Sequence, residues 1–309
     1  KDKHLLGFMK LLSLLFSPLS VLYSWMMSVR NKQFDSGKRP VVDFDKCVIS
    51  VGNLSMGGTG KTPMIEYLIR MLKDNVKLAT VSRGYGRKTR GFKLADADST
   101  AMTIGDEPLQ FYRKFGEDIL VAVGEERIIA VPSVLLDNPG TELFLLDDAF
   151  QHRQVGRDLN ILLSDFSRPF YEDMVMPSGR LRESRTGAKR ADVVIVTKCP
   201  DLHSINKSSI ESKVRRYAPS ADIFFSGIKY MPAVPFSKNG SVSPGIEVFL
   251  LTGLANSESI VRHVESEYKV LDHFEFSDHH HFRGAELDKI SSQISKNGSS
   301  NCLLTTEKD

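Results

Sequence analysis

Apolar residues fall along this chain in two alternating patterns. Short continuous runs at residues 46–51, 78–82, 119–123, 143–146, 160–163, 193–197 and 222–225 predict strands buried on both faces. Between several of them lie stretches of helical length and period, such as 63–73 and 107–114. This alternation predicts a doubly wound α/β core with a mostly parallel sheet over residues 40–228. At 229–245 the composition turns to Pro, Ser, Gly and Asn, which predicts a linker or an exposed ribbon. Runs at 248–251, 257–266, 270–276, 286–296 and 302–305 then repeat the alternation, so 246–309 reads as a second, smaller α/β domain. That domain ends on a strand with no closing helix, as a C-terminally truncated unit would.

The N-terminus follows neither pattern. Residues 11–29 carry no formal charge and are rich in Leu, Phe, Met and Trp. Lys10, Ser13, Ser17, Ser20, Ser24 and Ser28 step by three or four and form one polar stripe on a helix, extended by Lys3 and Asn31. The stripe predicts a helix over 1–31 lying in a membrane surface with its apolar side in lipid. Packing on the protein's own core and a transmembrane span are the alternatives, and no small-x-small cleavage site marks a signal peptide. Pro18 predicts a kink or a break.

Composition narrows the class. With 309 residues, 41% apolar and 26% charged, the chain has the make-up of a folded protein. A net charge of +3 is too small to argue nucleic-acid binding. Cys47, Cys199 and Cys302 lack metal-ligand spacing and read as reduced thiols.

The chemistry begins where the first core strand ends. Gly52-Asn-Leu-Ser-Met-Gly-Gly-Thr-Gly-Lys-Thr62 runs from a strand into a helix pattern that opens with Pro63. Small residues there let backbone N–H groups of Ser55, Met56, Gly57, Gly58, Thr59 and Gly60 turn toward an anion at a helix N-terminus. Lys61 is positioned for the β- and γ-phosphates and the Thr62 hydroxyl for magnesium. Ser55 stands where such loops usually carry Gly, but Gly57, Gly58 and Gly60 supply the permissive positions. Downstream, the run at 143–146 delivers Asp147 and Asp148 at a strand end, where a magnesium-organising acid belongs. Together these features predict ATP and Mg2+ as cofactors and phosphoryl transfer as the reaction.

Other candidates follow from what that transfer needs. Asp106 in Gly105-Asp-Glu-Pro108 is a base for an acceptor hydroxyl or, equally on spacing alone, a helix N-cap. His279, after Asp278, is a candidate to hydrogen-bond Asp106 and tune its basicity. Arg180, Arg182, Arg185, Lys189 and Arg190 crowd one segment, and Arg182 is the choice for charge at the γ-phosphate. Tyr85 in Arg83-Gly-Tyr-Gly86 follows a strand and is placed to line the site. Thr197-Lys198-Cys199-Pro200-Asp201 approaches a guanine-reading motif, but Pro200 occupies the position of its aspartate.

Several segments taken together resemble one family. They are 51–63, Ser82-Arg-Gly-Tyr-Gly86, Gly105-Asp-Glu-Pro108, Leu146-Asp-Asp-Ala-Phe-Gln-His152, Pro177-Ser-Gly-Arg-Leu-Arg-Glu183, Asp278-His279 and Thr305-Thr-Glu-Lys-Asp309. In order and length they are similar to the tetraacyldisaccharide 4'-kinases, the lipid A 4'-kinases of Gram-negative bacteria. The resemblance implies a P-loop NTPase fold with two domains. It implies a peripheral enzyme at the cytoplasmic face of the inner membrane that moves the ATP γ-phosphate to the 4'-hydroxyl of a tetraacyl disaccharide 1-phosphate. It favours Asp106 as the base and assigns Glu107, Arg127 and Arg180 to phosphate or substrate. No obligate protein partner is expected. The rival class is a membrane-associated positioning ATPase, but the signature lysine of that deviant phosphate loop is here Met56.

Overall fold

The computed structural model of the protein describes residues 16–236, 247–254, 256–278, 280, 282–296 and 302–308. The chain divides into two compact units, Lys1–Ile228 and Lys229–Asp309.

The first unit opens with α1 (Ser17–Asp35) and β1 (Cys47–Asn53), followed by α2 (Lys61–Leu72) and β2 (Leu78–Ser82). Next come β3 (Lys93–Leu94), α3 (Ala101–Ile104), α4 (Asp106–Phe115), β4 (Leu120–Val123), α5 (Arg127–Asp137) and β5 (Leu143–Asp147). β6 (Leu159–Asp165), β7 (Val193–Thr197), α6 (Lys207–Arg215) and β8 (Asp222–Phe225) complete it. Its strands form one eight-stranded sheet in the order β3-β4-β2-β5-β1-β6-β7-β8. All neighbours run parallel except β3, which lies antiparallel on β4. Every residue of β5 is buried, and the alternation of side chains sends them to opposite faces. Leu143 and Leu145 meet Ile65 and Ile69 of α2 and Phe111 of α4. Phe144 and Leu146 join the cluster of Ala130, Val131 and Val134 of α5 on the other face. The predicted doubly wound architecture is therefore the one observed. α5 holds Pro132 in its interior; burial of its apolar side outweighs the backbone hydrogen bond that Pro cannot donate.

The second unit is smaller. Around β9 (Glu247–Thr252) lie α7 (Glu258–Glu267), β10 (Lys269–Glu275), α8 (Gly284–Lys296) and β11 (Cys302–Leu304). The strands pair in parallel in the order β10-β9-β11 over a core of Val248, Leu250 and Val264. Residues 229–236 run without helix or strand. The remainder of the predicted ribbon lies outside the described residues.

α1 is oriented by its polar face. Ser20 is buried and its Oγ is 2.8 Å from Ser178 Oγ. The Tyr23 hydroxyl donates to the Arg182 carbonyl at 3.0 Å, and Asn31 Nδ2 to Glu183 Oε2 at 2.6 Å. Phe34 is buried beneath the guanidinium groups of Arg30, Arg39 and Arg153. The polar stripe thus meets the protein, while Leu19, Val21, Leu22, Trp25, Met26 and Val29 are exposed. Among the described residues the helix starts at Ser17, so Pro18 lies in the first turn of α1, where its missing N–H costs nothing, and marks a start of the helix and not a kink within it; α1 then runs past the predicted end at 31 to Asp35. Lys3, Lys10 and Ser13 lie outside the described residues. Among those described, no helix is long and apolar enough to cross a membrane.

Candidate active site

The phosphate loop spans the gap between β1 and α2. Gly57 (φ +106°) and Gly60 (φ +85°) adopt backbone conformations that side chains disfavour. Partners on several sides engage the loop, and the N–H groups of Met56 and Thr59, expected to face an anion, instead donate to Arg180 O and Gly57 O. The Arg182 N–H donates to Leu54 O at 2.7 Å, and the Met56 N–H donates to Arg180 O at 2.8 Å, zipping 54–56 to 180–182. Thr197 Oγ1 donates to Thr59 O at 2.9 Å, and the Lys198 ammonium donates to Gly58 O. Asn53 Nδ2 donates to Thr59 Oγ1 at 2.7 Å. The first N–H groups of α2 have no acceptor within the helix and present a partial positive charge to an anion.

Strand register brings the acids to this loop. β1 and β5 pair with Val51 opposite Asp147, so the carboxylates stand level with the residue that precedes Gly52. A Cβ on Gly52 would lie 2.7 Å from Phe150 Cβ, so only glycine allows the chain after β5 to cross so closely. Asp147 is 1% exposed, and its Oδ1 has no hydrogen-bond partner among the described residues. Asp148 Oδ1 accepts from Arg182 Nη1 at 2.8 Å and lies 3.8 Å from Lys61 Nζ. Thr62 Oγ1 is 3.3 Å from Glu107 Oε1. Asp106 and Glu107 form the first turn of α4, where the helix dipole favours anions.

Arg127 is the largest wholly buried side chain in this region, at 1% exposure. Its guanidinium donates to the Asp147 carbonyl at 3.1 Å and to Gly124 O at 3.4 Å, and approaches His152 Nε2 at 3.4 Å. Burial pulls it down to about 10, and the charges of Asp147 and Asp148 oppose that fall, so it remains a cation at neutral pH. Burial also pushes the Asp147 carboxyl up, reinforced by Glu107 and Asp148 and opposed by Lys61 and Arg127. Burial would raise Asp148 as well, but Lys61 and Arg182 outweigh it and hold that carboxyl below its ordinary value. Adjacent acids are therefore pushed in opposite directions by their surroundings.

The structure brings Lys61, Thr62, Glu107, Asp147, Asp148 and Arg182 together, with Arg180 beside Gly57. It differs from the expectation for Arg127, which lies beneath the acids and holds backbone carbonyls instead of facing a substrate. Tyr85 is 70% exposed, on the loop whose backbone meets Gly105. His279 lies outside the described residues. Asn53, Thr197 and Lys198 grip the phosphate loop, although the sequence signalled the last two only as part of a failed guanine motif.

Comparison with known proteins adds an independent line. The family described as Tetraacyldisaccharide-1-P 4'-kinase, LpxK, matches residues 12–309. The Tetraacyldisaccharide 4'-kinase of Bacteroides fragilis (strain YCH46) is 42% identical over 304 residues, covering 94% of this chain and 80% of that protein. The enzyme of the same name from Flavobacterium johnsoniae is 42% identical over 307 residues, covering 97% and 87%. The crystal structure of LpxK from Aquifex aeolicus in complex with ATP is similar with a TM-score of 0.73 and 28% identity, over 96% of this chain and 89% of that one.

The surroundings of Arg127 yield a pH prediction. Burial, then the nearby charges of Arg127 and Arg157, pull His152 from 6.5 down to about 4. An arginine only donates, so Nε2 accepts and the neutral ring carries its proton on Nδ1. Because the native state favours the neutral ring, its contribution is complete above pH 6.5 and is lost as pH falls toward about 4. His152→Gln should lose less stability than wild type over that interval, by on the order of 2 kcal/mol after allowance for partial exposure. Urea denaturation at a series of pH values checks this; parallel losses in the two proteins contradict it.

Proposed function

The chain belongs to the tetraacyldisaccharide-1-P 4'-kinase family, and from that premise we propose how its residues divide the work of phosphoryl transfer. The reaction moves the γ-phosphate of ATP to the 4'-hydroxyl of a tetraacyl disaccharide 1-phosphate, a step of lipid A biosynthesis, with ATP and Mg2+ as cofactors. The observation that carries the assignment is the convergence of one lysine, one arginine, one hydroxyl and three carboxylates at the phosphate loop.

Lys61 and the loop N–H groups other than those of Met56 and Thr59, which are committed to backbone carbonyls, bind the phosphates. Magnesium prefers oxygen donors and keeps phosphate and water oxygens in its shell. The Thr62 hydroxyl and the orphaned Asp147 Oδ1 fit that demand, with Glu107 beside Thr62. When bound, the ion neutralises charge on the phosphates. Asp148, already held by Lys61 and Arg182, keeps those two cations in place, and Arg182 stabilises the charge that develops on the transferred group. Asp106 accepts the proton of, or orients, the acceptor hydroxyl. Arg180, beside Gly57, holds phosphate or the substrate's anionic end.

The exposed apolar side of α1 supports peripheral docking on the cytoplasmic face of the inner membrane, where ATP and the lipid are both within reach. Leu19, Leu22, Trp25, Met26 and Val29 form one outward stripe, whereas the polar side is spent on hydrogen bonds to the protein.

Two experiments test these roles. With labelled ATP and tetraacyl disaccharide 1-phosphate, Asp106→Ala should lower kcat about 10²–10⁴-fold with ATP affinity unchanged, whereas Lys61→Ala should weaken both. A wild-type rate for Asp106→Ala would sink its assignment as base. For docking, Leu22→Glu with Trp25→Glu should release the protein from phospholipid vesicles in a sedimentation assay without lowering its melting temperature. Unchanged co-sedimentation refutes the role given to α1.

A further inference from the structure

We propose that Glu66 is a positioning residue for phosphoryl transfer: it fixes α4, which carries Asp106, in register on α2, which carries Lys61 and Thr62. The inference rests on Asp106 acting at the acceptor hydroxyl.

Glu66 is only 6% exposed, on the side of α2 that meets α4. A carboxylate is rarely buried to that degree unless several donors satisfy it. Here Gln110 Nε2 donates to Oε1 at 2.8 Å, and Lys114 Nζ donates to both oxygens at 2.8 and 3.0 Å. Arg70 Nη2 donates to Oε2 at 2.9 Å from the next turn of α2. Arg70 also lies over the Phe115 ring of α4, 5.1 Å from its centroid. Three separate contacts therefore tie this one region of α2 to the middle and far end of α4.

Spacing makes the arrangement a seam. Thr62 and Glu66 are one turn apart on α2, and Glu107, Gln110 and Lys114 recur by three and four on α4. Beside this polar line runs the apolar contact of Ile65, Leu68 and Ile69 with Phe111 and Phe115. Apolar contact is non-directional and tolerates a small slide of one helix along the other. Charge-assisted hydrogen bonds are directional and do not. A slip of one residue along α4 would shift Asp106 by about 1.5 Å, and a displacement near 1 Å is enough to cost about 10²-fold in rate. The seam's other described link, Thr62 to Glu107 at 3.3 Å, lies among the phosphate-site residues, so Glu66 is the anchor set one helical turn back from the phosphate loop.

The test is a double-mutant cycle on the full chain, reading kcat and, separately, ATP affinity. Glu66→Ala should lower kcat about tenfold or more while ATP affinity stays within about twofold. Glu66→Gln, which keeps an acceptor and its shape, should recover most of the rate. In the Asp106→Ala background, Glu66→Ala should change kcat by less than about twofold, because the group it positions is gone. Lys114→Met, which removes the contact from the α4 side, should reproduce this pattern and serves if Glu66→Ala does not fold. Equal losses in both backgrounds, or a full rate in folded Glu66→Ala, overturn the proposal while Asp106 keeps its role. A wild-type rate for Asp106→Ala alone instead removes the premise and the proposal together.

Discussion

Two carboxylates at the end of a buried strand repel each other, and the surroundings of Asp147 and Asp148 answer that repulsion from both sides. Arg127 lies underneath as a wholly buried cation, its guanidinium committed to the Asp147 carbonyl and to the turn at Gly124. Lys61 and Arg182 approach Asp148 from the side of the phosphate loop. Asp148 is thereby kept ionised, whereas Asp147 retains an oxygen without a partner among the described residues. An unpaired buried acceptor is costly in a ligand-free fold, and such local cost is expected where binding supplies the missing partner. Much of the adjoining architecture follows: the β1–β5 register, Gly52 against Phe150, and the pairing of 54–56 with 180–182.

The same strap, 178–183, joins the site to α1. Ser20 meets Ser178, Tyr23 meets the Arg182 carbonyl and Asn31 meets Glu183, while Arg182 itself reaches Asp148. A short line of hydrogen bonds thus runs from the helix with the exposed apolar side to the phosphate site. Helix, strap and loop are elements of one unit, so a surface contact made by α1 is made close to the chemistry.

Much of this was legible in the residues alone. Continuous apolar runs identified the seven parallel strands of the main sheet, whereas the two-residue antiparallel β3, with a charged residue and no apolar run, was not visible. The glycines, lysine and threonine of 57–62 and the acids of 147–148 announced their chemistry by type and spacing. What stayed hidden depended on depth and on three-dimensional partners. Nothing in the sequence distinguishes Arg127, buried beneath the acids, from an arginine facing phosphate. The serine stripe of α1 was visible, but not that its partners belong to the protein's own surface. Glu66 reads as an ordinary charged position on an amphipathic helix until Gln110 and Lys114 arrive from α4.

The acid pair and the phosphate loop are proposed to form one site for magnesium and ATP. Thermal denaturation of wild type and Asp147→Asn, each with ATP plus Mg2+ and with ATP plus chelator, tests it most directly. Ligand that binds only the native state stabilises it by RT ln(1 + L/Kd), L being its free concentration, and so raises the melting temperature. Wild type should gain markedly more from ATP with Mg2+ than from ATP with chelator, and Asp147→Asn should lose most of that difference. An equal gain with and without Mg2+ in wild type, or an undiminished Mg2+ effect in Asp147→Asn, would contradict the account.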